Sequence, residues 1–370
     1  MGIKNLTKFL TEKYPEVFDR GVKLSEYASQ KIAIDTAIFM CKFKASNSDT
    51  WLQAFLSLVL WMRRENAHPV FILDTGMPPE KAAEKLKRAE ARKKQETRIE
   101  TLDAAVNAFT IAHGFEGMSA EHVELLKETY VKEEKRGGHN VSSRRRLLLL
   151  TPEASGPEAP VSFDINLVEN KLTRMKKHMF TIKPEDYLLL QNMLDVLKVP
   201  WVLAPGEAEK EGARMVLHGE AAAVLSEDSD CLAYKAPVFL CKPDFGGKTV
   251  RRVNFLKLLD AVEMSGQEFV DFCIMCGTDY NPNIRGIGVC KSFSLIKKWK
   301  SIEDIPKLNT TTLNHHVGRK LFHIEDKDLL APRDLFTGTP VESELSLFFF
   351  KHNIRTPVSS VLDAFNNTKV

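Results

Sequence analysis

The stretch of sequence that decides the fold carries an acidic pair at each end, Pro205-Gly206-Glu207-Ala208-Glu209 and Ser226-Glu227-Asp228-Ser229-Asp230. Residues 210–220 between the pairs have the apolar spacing of a helix, and residues 221–225 have that of a buried strand. Side chains at i and i+2 share a side of an extended chain, so Asp228 and Asp230 can converge without distortion. On a regular helix, side chains at i and i+2 point apart. Glu207 and Glu209 can therefore converge only around a helix start, where one of the two residues is not yet helical.

Four converging carboxylates repel one another, and their pKa values rise unless cations lie among them. Hard divalent cations with oxygen ligands, Mg²⁺ above all, fit such a group. A solvated acidic turn explains most acidic pairs taken singly. Because a short helix and a strand join these two pairs, the sequence favours the metal site.

Size and composition narrow the class of protein. The chain has 370 residues, 44% hydrophobic residues and a net charge of +3, which indicates a globular protein of two or three domains. Acidic residues cluster at the ends of predicted strands and basic residues gather in runs, a segregation that suits a protein binding both a metal ion and a polyanion. The six cysteines form no disulfide framework and are predicted as buried free thiols. We expect an intracellular monomer without a membrane span.

Two further segments predict a parallel sheet. Residues 31–35 and 69–74 are apolar runs that end in Asp35 and Asp74, and a helical pattern at residues 51–65 separates them. Ligands of parallel α/β sheets bind beyond the carboxyl ends of the strands. One strand-end aspartate could simply cap the next helix, but several at equivalent positions indicate a shared site.

A basic stripe follows Asp74. It is spaced 4, 3 and 4 residues apart, which places its members on one face of a helix: Lys81, Lys85, Arg88 and Arg92. An isolated stretch of this kind is usually a solvated helix with ion pairs along it. Because this basic stripe directly follows a predicted metal-ligand aspartate, we favour a role in binding phosphates beside the metals over that of a solvated helix.

Residues 101–180 have weaker patterns. Helices are predicted at 99–112 and 120–134, followed by basic clusters and a Pro/Ala/Glu-rich loop within 135–162. The segment is predicted as an insertion between core strands. A basic lobe of this kind could be an arch over nucleic acid, a nuclear targeting signal or a solvated loop.

A glycine turn that opens a helix follows the apolar segment 269–276 and the sequence Gly277-Thr278-Asp279-Tyr280. Gly286 and Gly288 let a nucleic-acid backbone approach closely, and helix N–H groups bind phosphate. With Lys291 after it, the turn predicts a sequence-independent contact with one strand of a duplex.

The order of these motifs resembles the flap endonuclease family, the structure-specific 5′ nucleases of the xeroderma pigmentosum G superfamily. The resemblance runs from residue 1 to about 350. Its motifs are Met1-Gly2-Ile3, Ala33-Ile34-Asp35, Phe71-Ile72-Leu73-Asp74, Ala204-Pro205-Gly206-Glu207-Ala208-Glu209, Ser226-Glu227-Asp228-Ser229-Asp230-Cys231, Gly277-Thr278-Asp279-Tyr280 and Ile284-Arg285-Gly286-Ile287-Gly288.

The resemblance implies a PIN-like α/β core with a parallel sheet, a helical arch insertion and a C-terminal helix–two-turn–helix region that binds duplex with a potassium ion. On this basis we expect an N-terminal nuclease region at 1–100 and an arch at 101–180. An internal nuclease region at 181–350 contains the helix–two-turn–helix at about 277–300, and a tail follows at 351–370.

The resemblance also assigns residues. The metal ligands correspond to seven carboxylates, Asp35, Asp74, Glu207, Glu209, Asp228, Asp230 and Asp279. The catalytic lysine and arginine correspond to Lys81 and Arg88, after a one-residue shift in the turn. The predicted DNA-binding residues are Gly2, Lys85, Arg92, Tyr280, Gly286, Gly288 and Lys291.

Three features depart from the family pattern. Asp74 and Glu207 stand 133 positions apart, more than is usual, so the arch is altered. Cys41 replaces the aromatic residue that normally stacks near the scissile nucleotide, and Phe39 is out of register. Residues 344–349 resemble a sliding-clamp box without its leading glutamine, so we predict a packed helix there and no clamp binding by that route.

The sequence therefore predicts a structure-specific 5′ nuclease that uses two Mg²⁺ ions, for which Mn²⁺ can substitute, to cut flapped or branched DNA. A 5′ exonuclease or a Holliday-junction resolvase on the same core stays open as an alternative, as does a non-catalytic DNA-binding scaffold. The predicted location is the nucleus, or viral replication sites if the source is viral.

Overall fold

The computed structural model describes residues 2–46, 49–76, 78–136, 163–325 and 335–366. The chain divides into two compact units, the first made of residues 1–44, 49–84 and 182–370 and the second of residues 45–48 and 85–181. The loop predicted within 135–162 lies outside the described residues from 137 onward. The predicted domain boundaries stay predictions.

The first unit is built on a seven-stranded sheet. Its strands are β1 (Asp19–Lys23), β2 (Lys31–Asp35), β3 (His68–Asp74), β4 (Trp201–Ala204), β5 (Ala223–Leu225), β6 (Val238–Asp244) and β7 (Thr249–Asn254). Their order in the sheet is β1-β7-β6-β5-β2-β3-β4. Strands β6, β5, β2, β3 and β4 are parallel, which confirms the predicted α/β class. The antiparallel pair β7 and β1 at one edge was not predicted.

The helices of the described residues follow in chain order. They are α1 (Leu6–Lys13), α2 (Thr36–Ser46), α3 (Trp51–Arg64), α4 (Ala82–Ala112), α5 (Ala120–Arg136), α6 (Ile165–Lys177), α7 (Pro184–Val196), α8 (Ala208–Leu217), α9 (Asp230–Ala233), α10 (Phe255–Val262), α11 (Gly266–Cys276), α12 (Val289–Trp299), α13 (His315–Phe322), α14 (Glu342–Lys351) and α15 (Val358–Asn366). Short 3₁₀ turns occupy Pro15–Val17, Leu24–Tyr27 and Pro79–Lys81.

Both faces of the sheet are covered, because its central strands are apolar on both sides. In β2 the side chain of Ala33 packs into one hydrophobic core and those of Ile32 and Ile34 pack into the other. The first core includes side chains of α1, α8, α11, α12 and α13, and the second includes side chains of α2, α3, α7, α14 and α15. This three-layer arrangement leaves the carboxyl ends of the parallel strands to form the site.

The second unit has a core of its own. Leu102 on α4, Leu126 and Tyr130 on α5, and Val168 and Leu172 on α6 are buried together. Their spacing places them on one face of each helix. The unit is therefore a helical element that buries an apolar core, as its predicted helices require.

The structure refines several predicted elements. The helix predicted at 210–220 is α8, which runs from Ala208 to Leu217, and the strand predicted at 221–225 is β5, which begins at Ala223. Residues 218–222 form the turn between them. The predicted packed helix near residues 344–349 is confirmed as α14, with Leu345, Phe348 and Phe349 buried. The segment predicted as a tail contains α15, whose Val361 and Phe365 are buried in the second core.

No helix in the described ranges is both long enough and apolar enough to cross a membrane. All six cysteines are free thiols. Four of them are buried as predicted, whereas Cys41 is half-buried and Cys290 is exposed. For these last two, the prediction of a buried thiol is corrected, since Cys290 lies on the open face of α12.

Candidate active site

All seven predicted metal ligands belong to the first unit, at the carboxyl end of the parallel sheet. Asp35 ends β2 and Asp74 ends β3. Glu207 and Glu209 lie at the start of α8, which follows β4. The remaining carboxylates follow β5 and α11: they are Asp228, Asp230 and Asp279. The fold thus brings together the strand ends that the sequence analysis singled out.

Asp35 is buried and hydrogen-bonded across two strands. Its Oδ2 accepts a hydrogen bond of 2.7 Å from the Ser226 hydroxyl, at the end of β5. Its Oδ1 accepts a 3.4 Å bond from the backbone N–H of Ile38, in the first turn of α2. Strands β2 and β5 are paired in parallel, so their carboxyl ends lie side by side. The side chain is therefore oriented from both sides.

The loop after β5 folds back on its own polar groups. The Ser226 hydroxyl accepts a 2.9 Å bond from the N–H of Asp228, and Asp228 Oδ1 accepts a 2.9 Å bond from the N–H of Asp230. Asp230 is 2% exposed. Its Oδ1 has no hydrogen-bond partner among the described residues. A buried carboxylate oxygen without a donor is costly and indicates a missing cation or donor.

Gly2 packs directly on this loop. Its backbone has φ of +81°, and a Cβ there would lie 2.0 Å from Asp228 Oδ1 and 2.7 Å from Asp230 Oδ1. The next residue, Ile3, donates its N–H to the Ser229 hydroxyl oxygen at 3.0 Å. Only glycine fits this position, since both the conformation and the contact exclude a side chain.

Asp74 is held at the start of α8. Its Oδ1 accepts a 2.6 Å hydrogen bond from the N–H of Ala208, the first residue of the helix. The adjacent Thr75 donates its hydroxyl to the carbonyl of Ala204 at 2.6 Å. Free N–H groups at a helix start favour an acidic side chain. The end of β3 and the acidic pair of α8 are consequently fixed together.

Lys81 lies among the carboxylates. Its Nζ forms a salt bridge with Glu207 Oε1 and lies 3.3 Å from Asp279 Oδ2. It also lies 5.4 Å from the centre of the Tyr280 ring. Burial by itself lowers the pKa of the Lys81 ammonium, but the charge of Glu207 and its hydrogen bond raise that pKa above the usual value. Lys81 is therefore a fixed positive charge inside the site.

The electrostatics of the carboxylates are those of crowded buried acids. Burial raises the pKa of Asp35 to about 7, and the charges of Asp74 and Asp228 add to this rise. Burial also raises the pKa of Asp74, and that of Asp228. The pKa of Glu209 and that of Asp230 are raised well above their usual values, by burial and then by neighbouring carboxylates.

These residues fit divalent metal ions. The donors are carboxylate oxygens, which Mg²⁺ and Mn²⁺ prefer. The raised carboxylate pKa values show that ionising these crowded, buried groups is unfavourable without a cation among them. Asp230 Oδ1, which has no hydrogen-bond partner among the described residues, is free to bind such a cation. We therefore assign the seven carboxylates as the residues that would hold metal.

A tighter group of ligand atoms lies elsewhere in the described residues. Potential metal-ligand atoms of Glu303, His315 and His316 lie within 4.8 Å of one another. Within the described residues, no three of the seven carboxylates come this close together. The Arg319 guanidinium, however, hydrogen-bonds both oxygens of Glu303. Arg319 neutralises this second group, which is therefore an ionic cluster.

Three of the predicted basic residues belong to the second unit. Lys85, Arg88 and Arg92 are exposed on α4. Arg92 donates to the Thr181 hydroxyl at 2.7 Å and to the Phe180 carbonyl at 3.1 Å. The catalytic role of Arg88 and the DNA contacts of Lys85 and Arg92 stay predictions.

The glycine turn is formed as predicted. Gly286 has φ of +81° and is exposed, and Gly288 precedes α12 as its N-terminal cap. Lys291, in the first turn of α12, is also exposed. The arrangement leaves N–H groups and a cation on one open surface, and its contact with DNA stays a prediction.

Tyr280, which the sequence analysis predicts to bind DNA, lies within the acidic site of the described structure. It is 8% exposed, and its hydroxyl hydrogen-bonds Glu207 Oε2. The neighbouring hydroxyl of Tyr234 lies 2.8 Å from that of Tyr280. A buried phenol that supports Glu207 is part of the acidic site, and the contact of Tyr280 with DNA stays a prediction. Gly2 likewise lies against the acidic loop.

Sequence reasoning missed three polar residues of the site, Ser226, Ser229 and Tyr234. Ser226 and Ser229 alternate with the acidic pair and could have been read as its hydrogen-bond donors. Tyr234 follows Asp230 by four positions, the spacing that places two side chains on one face of a helix. The sequence contains no comparable signal that Tyr234 meets Tyr280.

Two family models match this chain. The XPG N-terminal domain matches residues 1–95, and the XPG I-region matches residues 198–279. Together they contain all seven carboxylates and Lys81. Residues 96–197, which separate the two matched segments in the sequence, contain most of the second unit.

Among similar proteins, “Putative RAD2-like endonuclease 095R” of Frog virus 3 is 32% identical over 83% of this chain and 78% of its own length. “Flap endonuclease 1” of Glycine max is 27% identical over 83% of this chain and 69% of its own length.

Two solved structures show the same fold. Flap endonuclease-1 from Methanococcus jannaschii has a TM-score of 0.58 at 16% identity, covering 95% of this chain and 97% of its own. Human GEN1 in complex with Holliday junction DNA has a TM-score of 0.59 at 14% identity, covering 98% of this chain and 76% of its own. The predicted nuclease fold is thereby confirmed.

Proposed function

This chain belongs to the flap endonuclease family of the XPG superfamily and is a structure-specific nuclease, and we propose that it is a Mg²⁺-dependent 5′ flap endonuclease. We propose that it hydrolyses phosphodiesters near junctions of single-stranded and duplex DNA. The observation that carries the proposal is the convergence of seven carboxylates and Lys81 at one end of the sheet, with the buried Asp230 Oδ1 lacking a partner in the described residues.

Metal ions held by these carboxylates would supply positive charge for activating water and for neutralising the phosphodiester. The chain's own residues prepare that site. Backbone N–H groups and the Ser226 hydroxyl fix Asp35, Asp74 and Asp228 in place. Sites whose ligands are held in advance do not have to reorganise when the charge of the reaction develops.

Lys81 adds a cation that the protein holds itself. Its ammonium stays charged, because Glu207 and Asp279 lie beside it. A fixed positive group stabilises negative charge that develops on a phosphate in the transition state. Arg88 is proposed for the same role, on the basis of the family resemblance.

DNA contacts come from surfaces outside the acidic site. The exposed turn from Gly286 to Lys291 offers helix N–H groups and a cation to a phosphate. We propose that it holds duplex DNA, with the potassium ion that the family resemblance implies. A base pair must open before its phosphodiester can reach ligands at the strand ends. The proposed location is the nucleus, or viral replication sites.

A panel of 5′-labelled DNAs tests the specificity. Double-flap, nicked and four-way substrates are compared at equal concentration with Mg²⁺. The proposal expects one short product from the double flap, cut within about a nucleotide of the junction, and slower reaction on the others. Mononucleotide products would instead identify a 5′ exonuclease. Symmetric cuts in the four-way substrate would identify a junction resolvase, the substrate type in the human GEN1 structure.

A further inference from the structure

Two tyrosine hydroxyls lie against one oxygen of Glu207. The hydroxyl of Tyr280 hydrogen-bonds Oε2, and that of Tyr234 lies 3.2 Å from the same oxygen. The two hydroxyls are 2.8 Å apart. An ionised carboxylate only accepts hydrogen bonds, so a tyrosine must donate to it. The three groups are all buried and form a closed triangle.

Glu207 lacks the support that two neighbouring carboxylates have. Asp74 and Asp228 each accept a backbone N–H, from Ala208 and Asp230 respectively. Glu207 occupies the N-cap position of α8, but its side chain makes no capping hydrogen bond to that helix. A glutamate also has one more rotatable bond than an aspartate. Without the tyrosines, its described side-chain contacts would reduce to the salt bridge with Lys81.

The tyrosine rings are themselves held in place. The Phe322 ring packs edge-on against Tyr234 at 5.2 Å and against Tyr280 at 5.4 Å. Phe322 is 1% exposed. Such edge-to-face contacts fix ring orientation. The hydroxyls are therefore presented to Glu207 by a packed aromatic cluster, which a tyrosine-to-phenylalanine change would leave in shape.

The two oxygens of Glu207 consequently have different partners. Oε2 faces the tyrosines, and Oε1 faces Lys81. Outer hydrogen bonds of this kind orient a ligand and tune its affinity for a metal. Tyr234 follows helix α9, which begins at Asp230, and Tyr280 follows Asp279 directly. The two tyrosines therefore also connect Glu207 to the segments that carry these two ligands.

We propose that Tyr234 and Tyr280 are positioning residues for Glu207, which hold Oε2 so that Oε1 is the oxygen offered to a metal ion. The proposal rests on the proposed metal-dependent function. It assigns the tyrosines no contact with DNA or with the reacting atoms. Their effect should accordingly appear in metal affinity more than in the maximal rate.

The test uses Tyr234→Phe, Tyr280→Phe and the double variant of the full chain. Mn²⁺ binding without DNA is measured by the loss of the free-ion electron paramagnetic resonance signal, and cleavage is measured across Mg²⁺ concentrations. We expect Tyr280→Phe to weaken Mn²⁺ binding by about 10-fold and to raise the half-saturating Mg²⁺ concentration similarly. Tyr234→Phe should have a smaller effect, and the double variant should fall short of additivity. Saturating Mg²⁺ should restore most of the rate.

Tyr14→Phe is the matched control, since Tyr14 packs in an aromatic cluster with Phe9 and Phe293 and has no described contact with Glu207. The control variant should bind Mn²⁺ as tightly as the unaltered protein does. The melting temperature of every variant should lie within a few degrees of that of the unaltered protein. Unchanged Mn²⁺ affinity in the double variant overturns the proposal, and so does a lost maximal rate that Mg²⁺ does not restore.

The two proposals fail separately. If the unaltered protein binds Mn²⁺ but does not cut the double-flap DNA with Mg²⁺, the proposed flap endonuclease function is wrong, and the binding measurement still decides the role of the tyrosines. If the unaltered protein binds no Mn²⁺, the positioning role is overturned as well.

Discussion

Ser226 donates a 2.7 Å hydrogen bond to Asp35 Oδ2 and so joins the ends of two neighbouring parallel strands. The same hydroxyl oxygen accepts the N–H of Asp228 at 2.9 Å. One buried serine thereby orients a ligand from each strand. Its replacement should disturb both ligands at once.

Ser226→Ala is expected to lower the free energy of unfolding by about 1–3 kcal/mol, because it leaves a buried N–H and a carboxylate oxygen without this partner. Cleavage should slow as well. Urea unfolding measures the first effect, with the exposed Ser57→Ala as control, since Ser57 bonds only a carbonyl of its own helix among the described contacts. Equal stability of the two variants would refute a buried role for Ser226.

Gly2→Ala should weaken metal binding and cleavage. The added methyl would lie 2.0 Å from Asp228 Oδ1, in a backbone conformation with φ of +81°. Strain of this conformation alone costs about 1–3 kcal/mol. Gly219→Ala is the matched control, because Gly219 has φ of +70° with no atom within 4 Å of its would-be Cβ. If both variants lose the same activity, contact with Asp228 is not the cause.

The stability of the metal-free protein should depend on pH through Asp35. Its pKa is raised from 3.8 to about 7, so the folded state keeps a proton that the unfolded state releases. The stability contributed by this proton is therefore present at low pH and is lost as pH rises from about 4 to about 7. Melting in EDTA measures this loss, and Asp35→Asn should flatten it. An identical pH slope in the variant would contradict the assignment.

Lys81→Ala is expected to lower the maximal cleavage rate by about 10²–10³, the usual effect of removing one group that stabilises transition-state charge. Mn²⁺ binding should persist, because the change removes a cation that competes for Glu207. Lys8→Ala serves as control, since Lys8 is exposed and pairs with Glu12 on its own helix. A rate equal to that of the control would exclude Lys81 from catalysis.

The acidic site could be predicted from the sequence because parallel strands place their carboxyl ends together. Asp35 and Asp74 end apolar runs, and the pair at Asp228 and Asp230 follows a third. A continuous apolar run is a local pattern, so it is readable without the fold. The same holds for the glycine turn at Gly286, where a positive φ is adopted.

The support of Glu207 could not be predicted in the same way. Tyr234 and Tyr280 are 46 positions apart, and both rings pack against Phe322, which comes from a third segment distant in the chain. The antiparallel edge was missed for a similar reason. Strand β1 contains Arg20 and Gly21 and is mostly exposed, so it lacks the apolar pattern of a core strand.

Metal-dependent cleavage is tested by comparing the unaltered protein with Asp228→Ala on a 5′-labelled double-flap DNA at low salt. Cleavage is followed with Mg²⁺, with Ca²⁺ and with EDTA, and DNA binding is measured in Ca²⁺. We expect the unaltered protein to cut near the junction with Mg²⁺ alone, and Asp228→Ala to bind the DNA without cutting it. Full cleavage by Asp228→Ala, or cleavage by the unaltered protein in EDTA, would contradict this expectation.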